Sequence, residues 1–175
     1  MPEAFVLQTL CTARTKASPR GGFAGTSPVD LLVSLPRELV RRTGMDPGRV
    51  EDVIIGCASP NAEQGANVAR TATMLAGWGN MPGVSINRFC ASGIDTVATA
   101  AARIRGGDAE LVAAGGVESV SRVPLAAHPE VGEIRHLHTV GTSPALADVA
   151  ALVLIGSQDA AKRLGVAVLI ERVAA

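Results

Sequence analysis

Aromatic side chains are nearly absent from this chain: they make up 2% of it, as one Trp, three Phe and no Tyr. Single-stranded nucleic acids are gripped by stacking bases on aromatic faces, so that class of function is not expected. Excess charge is absent too. Sixteen Lys and Arg offset 16 Asp and Glu, and no basic stripe is visible, which argues against capture of DNA or RNA through phosphates. No apolar run reaches the ~18 residues of a membrane helix. The N-terminus carries Glu3 and no basic stretch, unlike a secretory leader, so no membrane association and a cytoplasmic location are expected. Cys-x-x-Cys pairs are missing. The 3 cysteines, Cys11, Cys57 and Cys90, are widely spaced, which excludes a zinc ribbon or dithiol motif and leaves no basis for a disulfide framework or a metal site. Neither Gly-x-Gly-x-x-Gly nor Gly-x-x-x-x-Gly-Lys occurs, so no nucleotide fingerprint is present.

What is present is apolar and small. The hydrophobic share is 47% over 175 residues, enough for a sizeable core in one domain and too much for a disordered chain. Alternating strand and helix patterns give a single α/β domain. Its sheet is expected to be mixed and mostly parallel, with five strands and helices on both faces. The strands are Ala4 to Cys11, Val53 to Cys57, Val84 to Ile86, Glu110 to Ala114 and Ala151 to Ile155. A helix runs from Pro28 to about Arg42, with Ser27 as N-cap and Pro36 expected to kink or divide it. Others span Asn67 to Gly77, Ser92 to Gly106 and Ser157 to Leu164, the last with Gly165 at its C′ position. Val166 to Val173 reads as a last strand-like run. Gly115-Gly116 is expected to turn the backbone sharply. Cys11 and Cys57 lie in apolar runs and read as core.

The segment Asn87-Arg88-Phe89-Cys90-Ala91-Ser92-Gly93 carries the most chemistry. It follows the strand Gly83-Val84-Ser85-Ile86 and leads into a helix of small residues, expected to be buried on most sides. A helix N-terminus favours an anion through its dipole and free N–H groups. A thiolate is an anion, so the position suits a nucleophilic cysteine. The competing reading is a buried small hydrophobe, since free cysteine is among the most buried residue types.

Asn87 to Gly93 resembles the nucleophile segment of the thiolase family, acyl-CoA acyltransferases that make or cleave 3-ketoacyl-CoA. Further segments resemble the same family in the same order. They are Ala13-Arg14-Thr15 with Arg20-Gly21-Gly22-Phe23, Asp52 to Cys57, Gln64-Gly65-Ala66-Asn67-Val68-Ala69-Arg70, Ala114-Gly115-Gly116-Val117-Glu118-Ser119-Val120-Ser121-Arg122-Val123-Pro124, and Asp148-Val149-Ala150-Ala151 through Gly165. The resemblance implies that Cys90 accepts the acyl group of a coenzyme A thioester, with its backbone N–H in an oxyanion hole. The implied substrate is an acyl-CoA, no cofactor is bound, and cofactor-binding residues are not assigned. It also implies a thiolase-like N-terminal domain over residues 1–156, with the family's lid reduced to about 125–140, and the start of a second half at 157–175, whose run Val166 to Val173 is then expected as an exposed edge or docking segment.

Departures from the family pattern bear on that expectation. Its Gly-His-Pro histidine and second cysteine, which activate the nucleophile and move the substrate proton, have no counterpart in this sequence. Thr142, Pro144, Ala145 and Val149 stand where the lid-exit loop usually has Asn, Ser and two glycines, which removes a backbone donor and conformational freedom. Thiolysis or condensation by this chain is therefore expected to be impaired. The alternatives are a non-catalytic subunit or pseudoenzyme that associates with itself or with a full-length thiolase, and a fragment of a longer product.

Other candidates are weighed against plainer roles. His128 in Ala127-His128-Pro129 mimics the missing motif, but it lies in the lid remnant, where geometry for a general base is not expected. His136 and His138 could pair on a metal, yet no third ligand is near in sequence, and solvated loop residues are the preferred reading. Glu118 and Ser119 sit at a strand end, where α/β folds place ligands; a capping or turn role is the alternative. Asn67 and Arg70 could bind an anion, but a structural role at a dimer contact is preferred.

Overall fold

The computed structural model describes residues 2–124 and 145–169. The elements are β1 (Phe5–Cys11), β2 (Thr15–Lys16), α1 (Pro28–Thr43), β3 (Asp52–Gly56), α2 (Val68–Leu75), β4 (Gly83–Ile86), α3 (Ser92–Gly106), β5 (Leu111–Ser119), β6 (Ala147–Gly156) and α4 (Gln158–Leu164). Short 3-10 turns at Pro47–Arg49 and Ala62–Gln64 join α1 to β3 and β3 to α2.

One sheet has the order β1-β6-β5-β3-β4, with β2 paired to β6. The β3–β4 and β3–β5 pairs are parallel, whereas β6 is antiparallel to β1, β2 and β5. Every strand but β6 thus points the same way, as expected for a mixed, mostly parallel α/β sheet. The sixth strand is β2, two residues long and too short to show a period in the sequence. All five residues of β3 are buried, as in a strand covered on both faces. The first seven residues of β6 alternate between buried and more exposed, so one of its faces is only partly covered.

α1, α2 and α4 pack on one face of the sheet, where Leu32, Leu39, Ile55, Val68, Leu154 and Ala160 share a large core. On the other face α3 alone makes a smaller core, with Ala100, Ala101 and Ile104 against Ile54, Val112 and Ile155. The helices on the first face are all capped. Ser27 Oγ accepts from Asp30 N at 3.0 Å, Asn67 Oδ1 from Arg70 N at 3.0 Å and Ser157 Oγ from Ala160 N at 3.1 Å. Each bond satisfies a backbone donor that the helix start would otherwise leave open. α1 closes on Gly44 at φ 65, whose N–H reaches Val40 O, a conformation that glycine takes without steric cost.

Several expectations need correction. Pro36 does not divide α1, which is one helix from Pro28 to Thr43; the ring is buried on the helix's core side with Leu32 and Leu39. The packing of that ring offsets the missing N–H. Gly115 and Gly116 make no turn, because both lie inside β5. A Cβ at Gly115 would sit 2.1 Å from Ala151 O, so the glycine serves close approach between strands. Cys11 is exposed, not core. It pairs with Ala151 across β1 and β6, and both point to the partly covered face. α3 is buried on one side only, since Ile94 is 77% exposed. Val166 to Leu169 form no strand, although Leu169 N donates to Val6 O at 2.8 Å; the rest of that run lies outside the described residues.

Candidate active site

β4 ends at Ile86 and α3 begins at Ser92; the chain between them must reverse onto the sheet within five residues. Phe89 makes this possible with φ at +50, a left-handed conformation that costs a non-glycine residue of order 1–3 kcal/mol. Neighbouring side chains hold it there. Asn87 Oδ1 accepts from Phe89 N at 2.8 Å. The buried Ser92 hydroxyl accepts from Arg88 N at 2.9 Å and donates to Phe89 O at 2.6 Å. Arg88 pairs with Asp95 at 3.1 Å. The turn also sits hard against β3, because a Cβ on Gly56 would fall 2.7 Å from the Ser92 carbonyl carbon.

Cys90 follows Phe89 and is exposed, so the reading of it as a buried hydrophobe is dropped. It stands directly before the first residues of α3, whose N-cap position, Ala91, offers no side-chain hydrogen bond. The first-turn N–H groups of this 15-residue helix therefore lack a side-chain cap, and a helix start in that condition favours negative charge beside it. α3 is anchored from beneath by Thr96, fully buried, with Oγ1 3.0 Å from Gly115 O.

Cys90 lines an open cavity of about 560 Å³ between α3, the ends of β3 and β5, and the start of β6. Its walls are mostly apolar, with Val97, Val117, Leu146 and Val149, and its charged lining groups are Arg14 and Glu118. Arg14 donates to Ala145 O at 2.8 Å. Glu118 accepts from Ala58 N through Oε2 and from Gln64 Nε2 through Oε1, both at 2.8 Å. No cation pairs with Glu118 among the described residues. Its charge acts on Cys57, whose thiol is pushed up to about 11 by burial first and by Glu118 second. Cys57 is thus an inert neutral thiol in the neutral pH range.

The remaining candidates separate cleanly. Glu118 lies at the cavity, whereas Ser119 is buried behind it. Ser119 N donates to Gln64 Oε1 at 2.7 Å, and Ser119 Oγ has no partner among the described residues. Asn67 caps α2 and donates to Gly83 O at 2.7 Å, while Arg70 donates to Met81 O and Gly79 O at 2.8 and 2.7 Å. Their polar groups secure the approach to β4, which is a structural role. His128, His136, His138, Thr142 and Pro144 lie outside the described residues. Among the described residues, no group of three or more His, Cys, Asp or Glu could hold a metal, and no helix is long and apolar enough to cross a membrane.

Two polar clusters were not singled out in the sequence. Gln64, at the end of the 3-10 turn Ala62–Gln64, is completely buried. Asp148, also completely buried, accepts from Ser121 N at 2.9 Å and Ser121 Oγ at 2.5 Å. Ser121 Oγ in turn accepts from Ser18 N at 3.0 Å. No local pattern announces such contacts, because their partners are distant in the chain.

Known proteins share both the sequence pattern and the fold. The family description "Thiolase, N-terminal domain" matches residues 8–151. The 3-ketoacyl-CoA thiolase of Bacillus subtilis (strain 168) is 40% identical over 129 residues, which are 73% of this chain and 33% of that protein. The 3-oxoadipyl-CoA/3-oxo-5,6-dehydrosuberyl-CoA thiolase of Escherichia coli (strain K12) is 44% identical over 128 residues, 71% of this chain and 31% of that one. The chain thus spans about a third of the length of these relatives. The crystal structure of the Bacillus anthracis acetyl-CoA acetyltransferase superposes with a TM-score of 0.79 over 97% of this chain and 69% of that one, at 20% identity, so the fold is shared. With sequence and fold in agreement, the chain belongs to the thiolase family.

Proposed function

We propose that Cys90 is an acyl-accepting nucleophile in a thiolase-type acyl transfer from coenzyme A thioesters. The observation that carries this reading is the placement of Cys90: exposed, on a strained strand–helix turn, beside the uncapped start of α3 and facing an open cavity. The Cys90 sulfur attacks the thioester carbonyl carbon, and the oxygen takes up negative charge near the N–H groups at the helix start. The carbon–sulfur bond to coenzyme A then breaks. The departing thiolate takes the equivalent of the Cys90 proton, leaving acyl-Cys90 and free coenzyme A. Release of the acyl group to a second acyl-CoA, or to coenzyme A in thiolysis, completes the family's reaction. In the family that step uses a histidine and a second cysteine whose motifs lie outside the third of the relatives' length that this chain spans.

Intact mass and peptide mapping after incubation with acetyl-CoA and longer acyl-CoAs test the reading, with Cys90→Ala as control. A thioester adduct on Cys90 that the variant lacks is the expected result. If no adduct forms and Cys90 alkylates no faster than the exposed Cys11, the catalytic reading fails.

A second reading rests on a different observation. Phe89 and Ile94 are 76% and 77% exposed, and Val149, Ala151 and Val153 on β6 are incompletely covered on the same side. Such a face favours association, with a second copy or a full-length thiolase, and this role requires no catalysis. Light scattering after size exclusion and co-purification with a full-length relative test it; a monomer that captures no relative rules it out.

A further inference from the structure

Gln64 is a fully buried polar side chain with no role in the acyl transfer described above. Its amide nitrogen lies 2.8 Å from Glu118 Oε1, 3.0 Å from Ser59 O and 3.3 Å from Cys57 Sγ, and its oxygen accepts from Ser119 N at 2.7 Å. One side chain therefore ties the loop after β3 to the end of β5. A primary amide has two protons, and the short contacts assign them to Glu118 and Ser59, leaving Cys57 a weak third acceptor. A leucine at this position would leave the backbone groups of the buried Ser59 and Ser119 without this partner.

The contacts continue to the candidate nucleophile. Glu118 Oε2 accepts from Ala58 N at 2.8 Å, Asn87 Nδ2 donates to Ala58 O at 3.4 Å, and Asn87 Oδ1 accepts from Phe89 N at 2.8 Å. Phe89 carries the left-handed backbone that aims Cys90. Both Glu118 oxygens accept from N–H donors, so the arrangement calls for a carboxylate. Glutamine at 118 would turn an N–H₂ group toward a donor.

We propose that Gln64 is a positioning residue for Cys90, holding the nucleophile turn through Glu118, Ala58 and Asn87. The proposal rests on the acyl-transfer reading for its consequence, because the rate of attack depends steeply on sulfur placement. A misplacement of about 1 Å can cost on the order of 100-fold. A buried amide that served only folding would change stability and leave the reactivity of the folded fraction alone.

The test is a double-mutant cycle on Gln64→Leu and Glu118→Leu, since contiguity alone does not demonstrate coupling. Cys90 acylation by acetyl-CoA is followed by mass over a range of concentrations, with thermal unfolding measured alongside. The expected result is a maximal acylation rate lowered roughly 10- to 100-fold in Gln64→Leu, a half-saturating concentration changed less than about threefold, and a double variant no slower than Glu118→Leu. Multiplying effects, or a Gln64→Leu protein that acylates at the wild-type rate, overturn the proposal. Asn87→Ala cuts the relay at an exposed residue and serves if the buried variants do not fold. Slower acylation at unchanged melting temperature supports the relay, and an unchanged rate overturns it. If the wild type takes no acyl group, the acyl-transfer reading has failed on its own. Cys90 alkylation by iodoacetamide, relative to Cys11, then decides: a ratio altered alike in Gln64→Leu and Asn87→Ala supports positioning, and an unaltered ratio rejects it.

Discussion

The two faces of the sheet are built to different rules. On one, three capped helices pack on the strands around a core rich in Leu and Val that also holds Ile55 and Trp78. On the other, a single helix of small residues leaves Ile94 and part of β6 exposed, has no side-chain cap, and begins at a turn containing a strained Phe89. The larger hydrophobic core lies on the first face. The second leaves apolar surface uncovered, and it is there that Cys90 meets a cavity. The difference teaches where to look in a fold of this kind: at the helix whose start carries no side-chain cap, where chemistry can use the N–H groups of the first turn.

That contrast can be broken or sharpened by substitution. The largest effect on stability is expected from Leu32→Ala, at the centre of the helix-covered core and 1% exposed. Chemical denaturation should show a loss of about 2–5 kcal/mol. Removing a cap on that side, as in Ser157→Ala, is expected to cost about 1 kcal/mol, visible as a lower melting temperature.

A pH scan separates the faces in another way. Cys57 lies in the large core, and its thiol is raised from an ordinary value of 9.0 to about 11 by burial and then by Glu118. Between those values the unfolded chain has lost this proton while the folded chain keeps it. Stability is therefore fully present below about pH 9 and falls as pH rises toward 11. The melting temperature should fall over that window, and Cys57→Ala should remove this part of the slope. With no Tyr in the chain, phenol ionisation does not obscure the measurement.

The smallest effect belongs to the open face. Ile94→Ser should change unfolding free energy by no more than about 0.5 kcal/mol, while reducing any self-association seen by light scattering. A loss comparable to that of Leu32→Ala would show that this face is as tightly built as the other.

Much of this fold was legible from local chemistry. Ser27 and Ser157 announced helix starts and Gly165 a helix end, because caps act within a few residues. The strand before Cys90 and the helix after it were read correctly for the same reason. Pro36 misled because its local penalty is offset by burial, which is set by α1's place on the sheet. Cys11 misled because an apolar run does not say which side of a strand will be covered. At the site, the Cys90 turn was visible as a motif, but the Gln64–Glu118 pair was not. Its members are 54 positions apart in sequence, and only the parallel pairing of β3 with β5 brings the ends of those strands together.

The contacts of Asp148 carry a consequence for how the fold can vary. Ser119 pairs with Asp148 across β5 and β6, and Asp148 in turn binds Ser121, which meets Ser18. Both stems of whatever chain joins residue 124 to residue 145 are thus fastened to each other and to the domain before that segment begins. Doubling the length of a flexible joining segment then adds only about 0.6 kcal/mol of closure entropy. The clamp works like a socket: segments of very different size can be plugged in at this point without disturbing the sheet beneath.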